Sequence, residues 1–322
     1  MSRQGQRIRD WMGGVDRSVT PVIATILIVA LVIVIAASFG AVAFGFTDKL
    51  GETTVAAGED RCVADSIGFN PEDIESFSDV STADLNCVMW FDASQEPGGT
   101  LETWSDQSGS GFDLTTVDPG NTPERTTVDD IEVVEFTGNE GYNTTSVTAS
   151  DAGLSGNPSF TVMTVVQITE PSYDGSIAQF GKASFPDSNY YRFGYNDDTY
   201  DDKWFVGTGR EFSDFQDHDP TIIDFNNWYL VTHIHDSSQN EIEVYVNGIQ
   251  RSLGESKTGY DITDDPIYIG YELNTSGNRD KFLKGNVAEL VVFDRALDVG
   301  DREIAECILS EKHGSAVNVE GC

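Results

Sequence analysis

The sequence predicts an all-β sandwich that follows one long hydrophobic α-helix. Three observations predict it. An uncharged apolar run, Val22 to Phe46, lies near the N-terminus. From about Leu85 onward, short apolar runs alternate with clusters of Gly, Asn, Asp and Ser, the punctuation expected of stacked strands. A hydrophobic content of 39%, with 18 Phe, 11 Tyr and 5 Trp, is enough to bury a core and excludes wholesale disorder. The charge narrows the function classes. With 54 acids against 19 bases the net charge is −35, so no global field attracts nucleic acid or an anionic bilayer. Nucleic acid is therefore not an expected partner. Such an excess suits a halophilic surface kept soluble in concentrated salt; a calcium-loaded extracellular protein is the alternative that composition leaves open.

Residues 1–17 carry Arg3, Arg7, Arg9 and Arg17 against Asp10 and Asp16, a net of +2, and no charge occurs between Arg17 and Asp48. The apolar run is long enough to span about 30 Å of hydrocarbon as a helix. Basic residues before it and acids after it place the N-terminus in the cytoplasm and the bulk outside. It is longer than a secretory signal's apolar region, so a single-pass anchor is one reading. The stretch Asp16-Arg17-Ser18-Val19-Thr20-Pro21-Val22-Ile23 resembles the start of archaeal, and specifically haloarchaeal, type IV pilins. Thr20 and Ala24 stand where that pattern usually has Ser and Gly. The resemblance implies a leader of residues 1–17, cut by a prepilin peptidase between Arg17 and Ser18. A helix over 18–46 would then sit in the membrane before assembly and among identical or related pilin subunits afterwards. Ala36, Ala37, Gly40, Ala41, Ala43 and Gly45 let helix backbones approach closely. Pro21 near the helix start costs little, because first-turn N–H groups lack partners anyway.

Residues 47–84 lose the apolar run and gain acids, which reads as a linker or stalk. Four cysteines, Cys62, Cys87, Cys307 and Cys322, form no C-x-x-C pair, so a zinc ribbon is not expected. On an exported chain they suggest two disulfides tying the ends of the domain together, with three pairings open. Asn143 and Asn274 begin N-x-S/T sequons in polar, turn-like stretches and are glycosylation candidates.

Within the sandwich, Phe160–Val166 reads as a strand with Phe160, Val162, Thr164 and Val166 on one side. Tyr190–Tyr195 places Tyr191, Phe193 and Tyr195 on one face and Tyr190 and Arg192 on the other. Trp228–His235 is a third strand. Glu241–Val246 turns Ile242, Val244 and Val246 inward, then meets Asn247-Gly248, a strong hairpin signal. Ile304, Cys307, Ile308 and Lys312 at helical spacing predict one closing helix over Asp298–Lys312.

The segments Met89-Trp90-Phe91-Asp92-Ala93-Ser94, Thr103-Trp104-Ser105-Asp106-Gln107-Ser108-Gly109, Asn227-Trp228-Tyr229-Leu230-Val231 and Val244-Tyr245-Val246-Asn247-Gly248 follow one another along the chain. They are joined by Ile267-Tyr268-Ile269-Gly270, by Lys284 to Leu297 and by Leu309-Ser310-Glu311-Lys312-His313-Gly314. Together they resemble the laminin-G-like, concanavalin A-like jelly roll in its bacterial and archaeal extracellular form, over residues 85–314, with 315–322 as a tail. That fold hosts lectins, adhesion modules and hydrolases alike.

Hydrolysis of glycosides needs two carboxyls flanking the scissile bond. The Glu-x-Asp-x-Glu motif of concanavalin-like glucanases is absent. Glu132 and Glu135 fall on opposite faces, and Glu241 with Glu243, which share a face, is the one pair that alternation brings together. His233 and His235 also share a face, but no third metal ligand is marked near them. No cofactor is required by any motif. The resemblance implies that calcium could sit at the rim, with Asp197, Asp198, Asp201 and Asp202 as the candidate ligands; Asp214, Asp217, Asp219, Asp264 and Asp265 add to the acid-rich loops. It also implies carbohydrate recognition, for which Tyr190, Tyr195, Tyr200 and Trp204 are the aromatic stacking candidates. The expectation is a non-enzymatic, surface-displayed pilin-like subunit whose head binds glycans or neighbouring cells. A membrane-anchored lectin or adhesin is the alternative, and a cell-surface glycoside hydrolase a second one.

Overall fold

The structure is a computed structural model that describes residues 87–170, 174–182, 190–196, 203–208, 211–214, 223–239, 241–255, 261–319 and 322. All of them belong to the second of the chain's two units, Gly58–Cys322. The expected leader junction at Arg17 and Ser18, the helix over 18–46, the stalk and Cys62 lie outside the described residues, as do Asp197, Asp198, Tyr200, Asp201 and Asp202. No helix among the described residues is long and apolar enough to cross a membrane.

In chain order the strands are β1 (Met89–Asp92), β2 (Gly99–Thr100), β3 (Thr103–Trp104), β4 (Leu114–Thr116), β5 (Glu124–Val128), β6 (Ile131–Thr137) and β7 (Tyr142–Thr144). The long pair β8 (Phe160–Ile168) and β9 (Gly175–Gly181) precedes β10 (Tyr190–Asn196), β11 (Lys203–Thr208) and β12 (Glu211–Asp214). Then come β13 (Trp228–Asp236), β14 (Glu241–Val246), β15 (Ile249–Glu255), β16 (Ile267–Ile269), β17 (Glu272–Leu273), β18 (Arg279–Asp280) and β19 (Lys284–Phe293). One helix, α1 (Val299–His313), closes the domain.

The strands form two large antiparallel sheets. The larger runs β15-β14-β13-β8-β19-β6-β5-β2, and the smaller runs β12-β11-β10-β9-β16-β7-β4-β3. β19 is long enough to take two partners along one edge: β6 pairs with Lys284–Val287, and β1 with Glu289–Val292. A buried cluster draws on the inner faces of both sheets, with Phe91, Val162, Val166, Val231, Val244 and Leu290 from the larger and Trp104, Tyr142, Phe180, Tyr191, Phe193 and Ile269 from the smaller. The period-2 alternation expected for Phe160–Val166, Tyr190–Tyr195 and Glu241–Val246 is present in these strands. β8 is buried on both sides, because its other face lies in a second cluster.

That second cluster sits on the outer face of the larger sheet. Trp90, Met163, Val165, Leu230 and Val291 meet Ala305, Ile308 and Leu309 of α1 and Val317 and Val319 of the tail. α1 starts where the sequence allows: the Asp298 side chain accepts from the Asp301 N–H at 2.9 Å, capping the first turn. The β14–β15 turn has Asn247 at φ 52° and Gly248 at φ 76°, the pair of positive φ values that a tight hairpin requires.

Two expectations need correction. Cys307 bonds to Cys322, fifteen residues on. This disulfide staples the helix to the tail rather than joining the two ends of the domain. Cys87 is also disulfide-bonded. Asn143 is not in a turn but in β7, half-buried and paired with Tyr268 and Thr115. Asn274 does occupy a turn, where its Oδ1 accepts from the N–H groups of Ser276 and Asn278.

Candidate functional site

The aromatic stacking candidates are interior. Tyr195 and Trp204 face each other across β10 and β11 and belong to the core, at 1% and 3% exposure. Trp204 stacks on Phe193 at 6.3 Å and meets Tyr229 edge-on at 5.6 Å. Ring faces occupied by core packing cannot receive a sugar, so these two are corrected from binding platform to core. Tyr190 points to the outer face but is buried as well. Burial, then the nearby Glu272 carboxylate, pushes its hydroxyl well above the usual phenol range. Glu272 also pairs with Arg192 at 2.9 Å. Gln179 accepts from the Leu273 N–H at 2.7 Å, so the β17–β18 hairpin lies over this part of the smaller sheet.

The metal candidates fare differently from one another. Asp264 Oδ1 accepts from the Ser150 N–H, a turn contact. His233 and His235 point into the core against Phe160. Among the described residues, no group of three or more His, Cys, Asp or Glu is placed to hold a metal ion.

Glu241 and Glu243 lie on the outer face of the larger sheet, beside the start of α1. Register puts Asp236 opposite Glu241 on one side and Glu255 on the other. The two glutamates line an open cavity of about 270 Å³ with Asp236, Leu297, Asp298, Val299 and Arg302. Most of its polar groups already have local duties. Tyr245 donates to Glu243 at 2.8 Å, Ser238 and Gln239 donate to Asp236, and Asp298 caps the helix. Arg302 pairs with Glu306 and Glu303 and covers the Tyr245 ring at 3.9 Å. Glu306 is buried and also accepts from Thr232 at 2.7 Å. The cavity offers hydrogen-bond acceptors to hydroxyl donors.

Sequence reasoning missed a buried charge cluster under the C-terminal turn of α1. Glu289 and Asp92 are 0% and 1% exposed. Lys312 Nζ donates to Asp92 Oδ2 at 2.7 Å and to Glu289 Oε2 at 2.8 Å. His313 Nε2 lies 2.8 Å from the same Glu289 oxygen, and the Trp90 indole N–H donates to Glu289 Oε1 at 2.6 Å. Burial pushes the Glu289 carboxyl up, but Lys312 and His313 outweigh it and hold it at about 2. The signal was present, since Trp90, Asp92, Glu289, Lys312 and His313 all fall in segments that carry the family resemblance. Asp106, from another such segment, is also structural: it accepts from the N–H groups of Trp90, Ser108 and Phe112.

Residues 139–301, just over half of the chain, match the concanavalin A-like lectin/glucanases superfamily. The chain belongs to that superfamily. Residues 17–58 match the N-terminal domain of archaeal type IV pilins, so the chain fuses a pilin N-terminus to a lectin-like β-sandwich. No curated protein matches it significantly. Similar solved structures include domain 4 of AbnA, a GH43 extracellular arabinanase from Geobacillus stearothermophilus, in complex with arabinotriose. It is 15% identical, with a TM-score of 0.49, and the alignment covers 68% of this chain and 98% of that one. The CBM40 of Ruminococcus gnavus IT-sialidase bound to α2,3 sialyllactose is 14% identical, with a TM-score of 0.43, over 54% of this chain and 94% of that one. Trypanosoma rangeli sialidase in complex with sialic acid is 19% identical, with a TM-score of 0.49, over 70% of this chain but only 33% of the sialidase.

Proposed function

We propose that this chain is a surface-displayed type IV pilin-like subunit whose concanavalin A-like head mediates adhesion or glycan binding. The observation that carries the proposal is the order of the two matches in one chain, the pilin N-terminus over 17–58 and the superfamily match over 139–301. A prepilin peptidase removes residues 1–17, the helix over 18–46 enters the filament core, 47–84 forms the stalk, and 85–314 faces outward. The head acts by binding rather than by catalysis, and the acceptor-rich cavity beside α1 suits hydroxyl-bearing ligands.

The deciding experiment is the N-terminal peptide mass of the protein recovered from the cell surface. A mature start at Ser18, with the protein present in purified filaments, supports the reading. A chain that begins at Met1 or Ser2 and is absent from filaments replaces it with a membrane-anchored lectin or adhesin. For the head, a glycan array tests binding. Hydrolysis of a bound glycan that is lost on Glu241→Ala and Glu243→Ala substitution would replace the adhesin with a hydrolase.

A further inference from the structure

We propose that Trp90, Asp92, Glu289 and Lys312 form a mechanical clasp on the strand through which tension enters the sandwich. The inference rests on the reading above only in that the head is held from its N-terminal side. Residues 1–86 join the described domain just ahead of β1. Whatever the head grips, tension between that ligand and an N-terminal anchor must pass through β1.

By its backbone alone β1 is a weak point. It has four residues; among the described residues its one ladder is with Glu289–Val292 of β19, and a single bridge joins Phe91 to Asp106. The side chains change this. One ammonium group, Lys312 Nζ, bonds a carboxylate on β1 and a carboxylate on β19 at once. The Trp90 indole N–H reaches from β1 to the second oxygen of Glu289. The Lys312 ammonium also lies 5.4 Å from the centre of the Trp90 ring. Sliding β1 along β19 breaks the Lys312–Asp92 pair and the Trp90–Glu289 hydrogen bond together and leaves Asp92 buried without its counter-charge, which is strongly unfavourable.

The clasp is itself anchored. Lys312 sits on α1, α1 is stapled to the tail by Cys307–Cys322, and the Ser310 hydroxyl donates to the Val317 carbonyl at 2.8 Å. Val317 and Val319 of that tail pack in one apolar cluster with Cys87 and Trp90 at the start of β1. An apolar replacement of a buried ion pair is often as stable at equilibrium. What an ion cluster adds is direction: hydrogen bonds weaken steeply with distance and angle, whereas apolar packing tolerates sliding.

The test is single-molecule pulling on the full chain in detergent, with two placements of the handles. One pair attaches at Asp84, ahead of β1, and at Ser276 in the β17–β18 turn. The other attaches at Gly120 and Ser276, two exposed turns that bypass β1. Lys312→Met and Asp92→Asn are compared with the wild type. Both should lower the unfolding force in the first placement and leave the second unchanged. An equal drop in both placements, or no drop in the first, overturns the clasp. Asp92→Asn retains an oxygen for the Ser94 N–H, so it serves if Lys312→Met does not fold. Failure of both variants to fold also counts against the proposal, because the cluster would then be a folding determinant. The handles replace the anchor, so the outcome is independent of whether the chain enters filaments.

Discussion

His233 and His235 lie between the sheets with their rings against Phe160, and the Tyr191 hydroxyl shares a hydrogen bond with His233 Nδ1 at 3.2 Å. His233 Nε2 has no partner among the described residues. Burial, and then the neighbouring His235, hold the His233 pKa well below its ordinary 6.5; burial also lowers His235. A lowered histidine contributes stability above the unfolded value and loses it as pH falls. The head should therefore weaken below pH 6.5, with a slope approaching about 1.4 kcal/mol per pH unit for each such proton. His233→Leu should flatten the fall of Tm between pH 6.5 and 5, and identical slopes would sink the assignment. Glu289 adds a second acid-sensitive step in the same direction, since its contribution is lost as pH falls from 4.5 toward about 2. Gly194 is the other sharp residue-scale constraint. A Cβ there would lie 2.0 Å from the Gly175 carbonyl oxygen, where β9 bulges against β10. Gly194→Ala should cost about 3 kcal/mol in denaturant unfolding, and a near-neutral result would mean that the bulge relaxes.

At the scale of elements, α1 shows most clearly what was legible. Its span was predicted to within a residue at each end, because Asp298 and the apolar spacing are local signals. Its buried face was not, since Arg302 and Glu306 are among the residues it buries. Charged residues read as solvent-facing unless their partners are known, and Thr232, Tyr245 and Glu306 come together only in the fold. The Cys307–Cys322 staple closes a fifteen-residue separation. Replacing both cysteines with alanine should cost about 3 kcal/mol and raise hydrogen exchange in the last turns of α1. Unchanged exchange there would show that tail packing alone holds the helix. Non-reducing peptide mapping should find Cys62 joined to Cys87.

For the whole molecule, the net charge of −35 makes salt a stability variable. The facing positions Asp236 and Glu241 on adjacent strands concentrate like charge, which destabilises a sheet when it is unscreened. Screening extends over about 3 Å at 1 M salt but about 10 Å at 0.1 M. The Tm should accordingly fall by several degrees when NaCl is lowered from molar concentrations to about 0.1 M. A Tm independent of NaCl would show that the acids are spaced widely enough to stand alone. The same acidity explains why candidate sites were hard to read. With 54 acids in the chain, Glu241 and Glu243 stood out by spacing alone, and only the fold shows Tyr245, Asp236 and Asp298 around them.

Local patterns determined the β-sandwich, its alternating strands, the Asn247-Gly248 turn and the closing helix, because each depends on neighbours a few residues apart. The pilin-like N-terminus was legible for the same reason, its basic residues, Pro21 and apolar run being contiguous. Tertiary structure decided which aromatics are core and which cysteines join. It also gathered Trp90, Asp92, Glu289 and Lys312 from across more than 200 residues into one cluster. Whether a Tyr or Trp is buried depends on the opposite sheet, and whether a carboxylate is paired depends on a helix far along the chain. Those distances are set by the packing of two sheets and one helix.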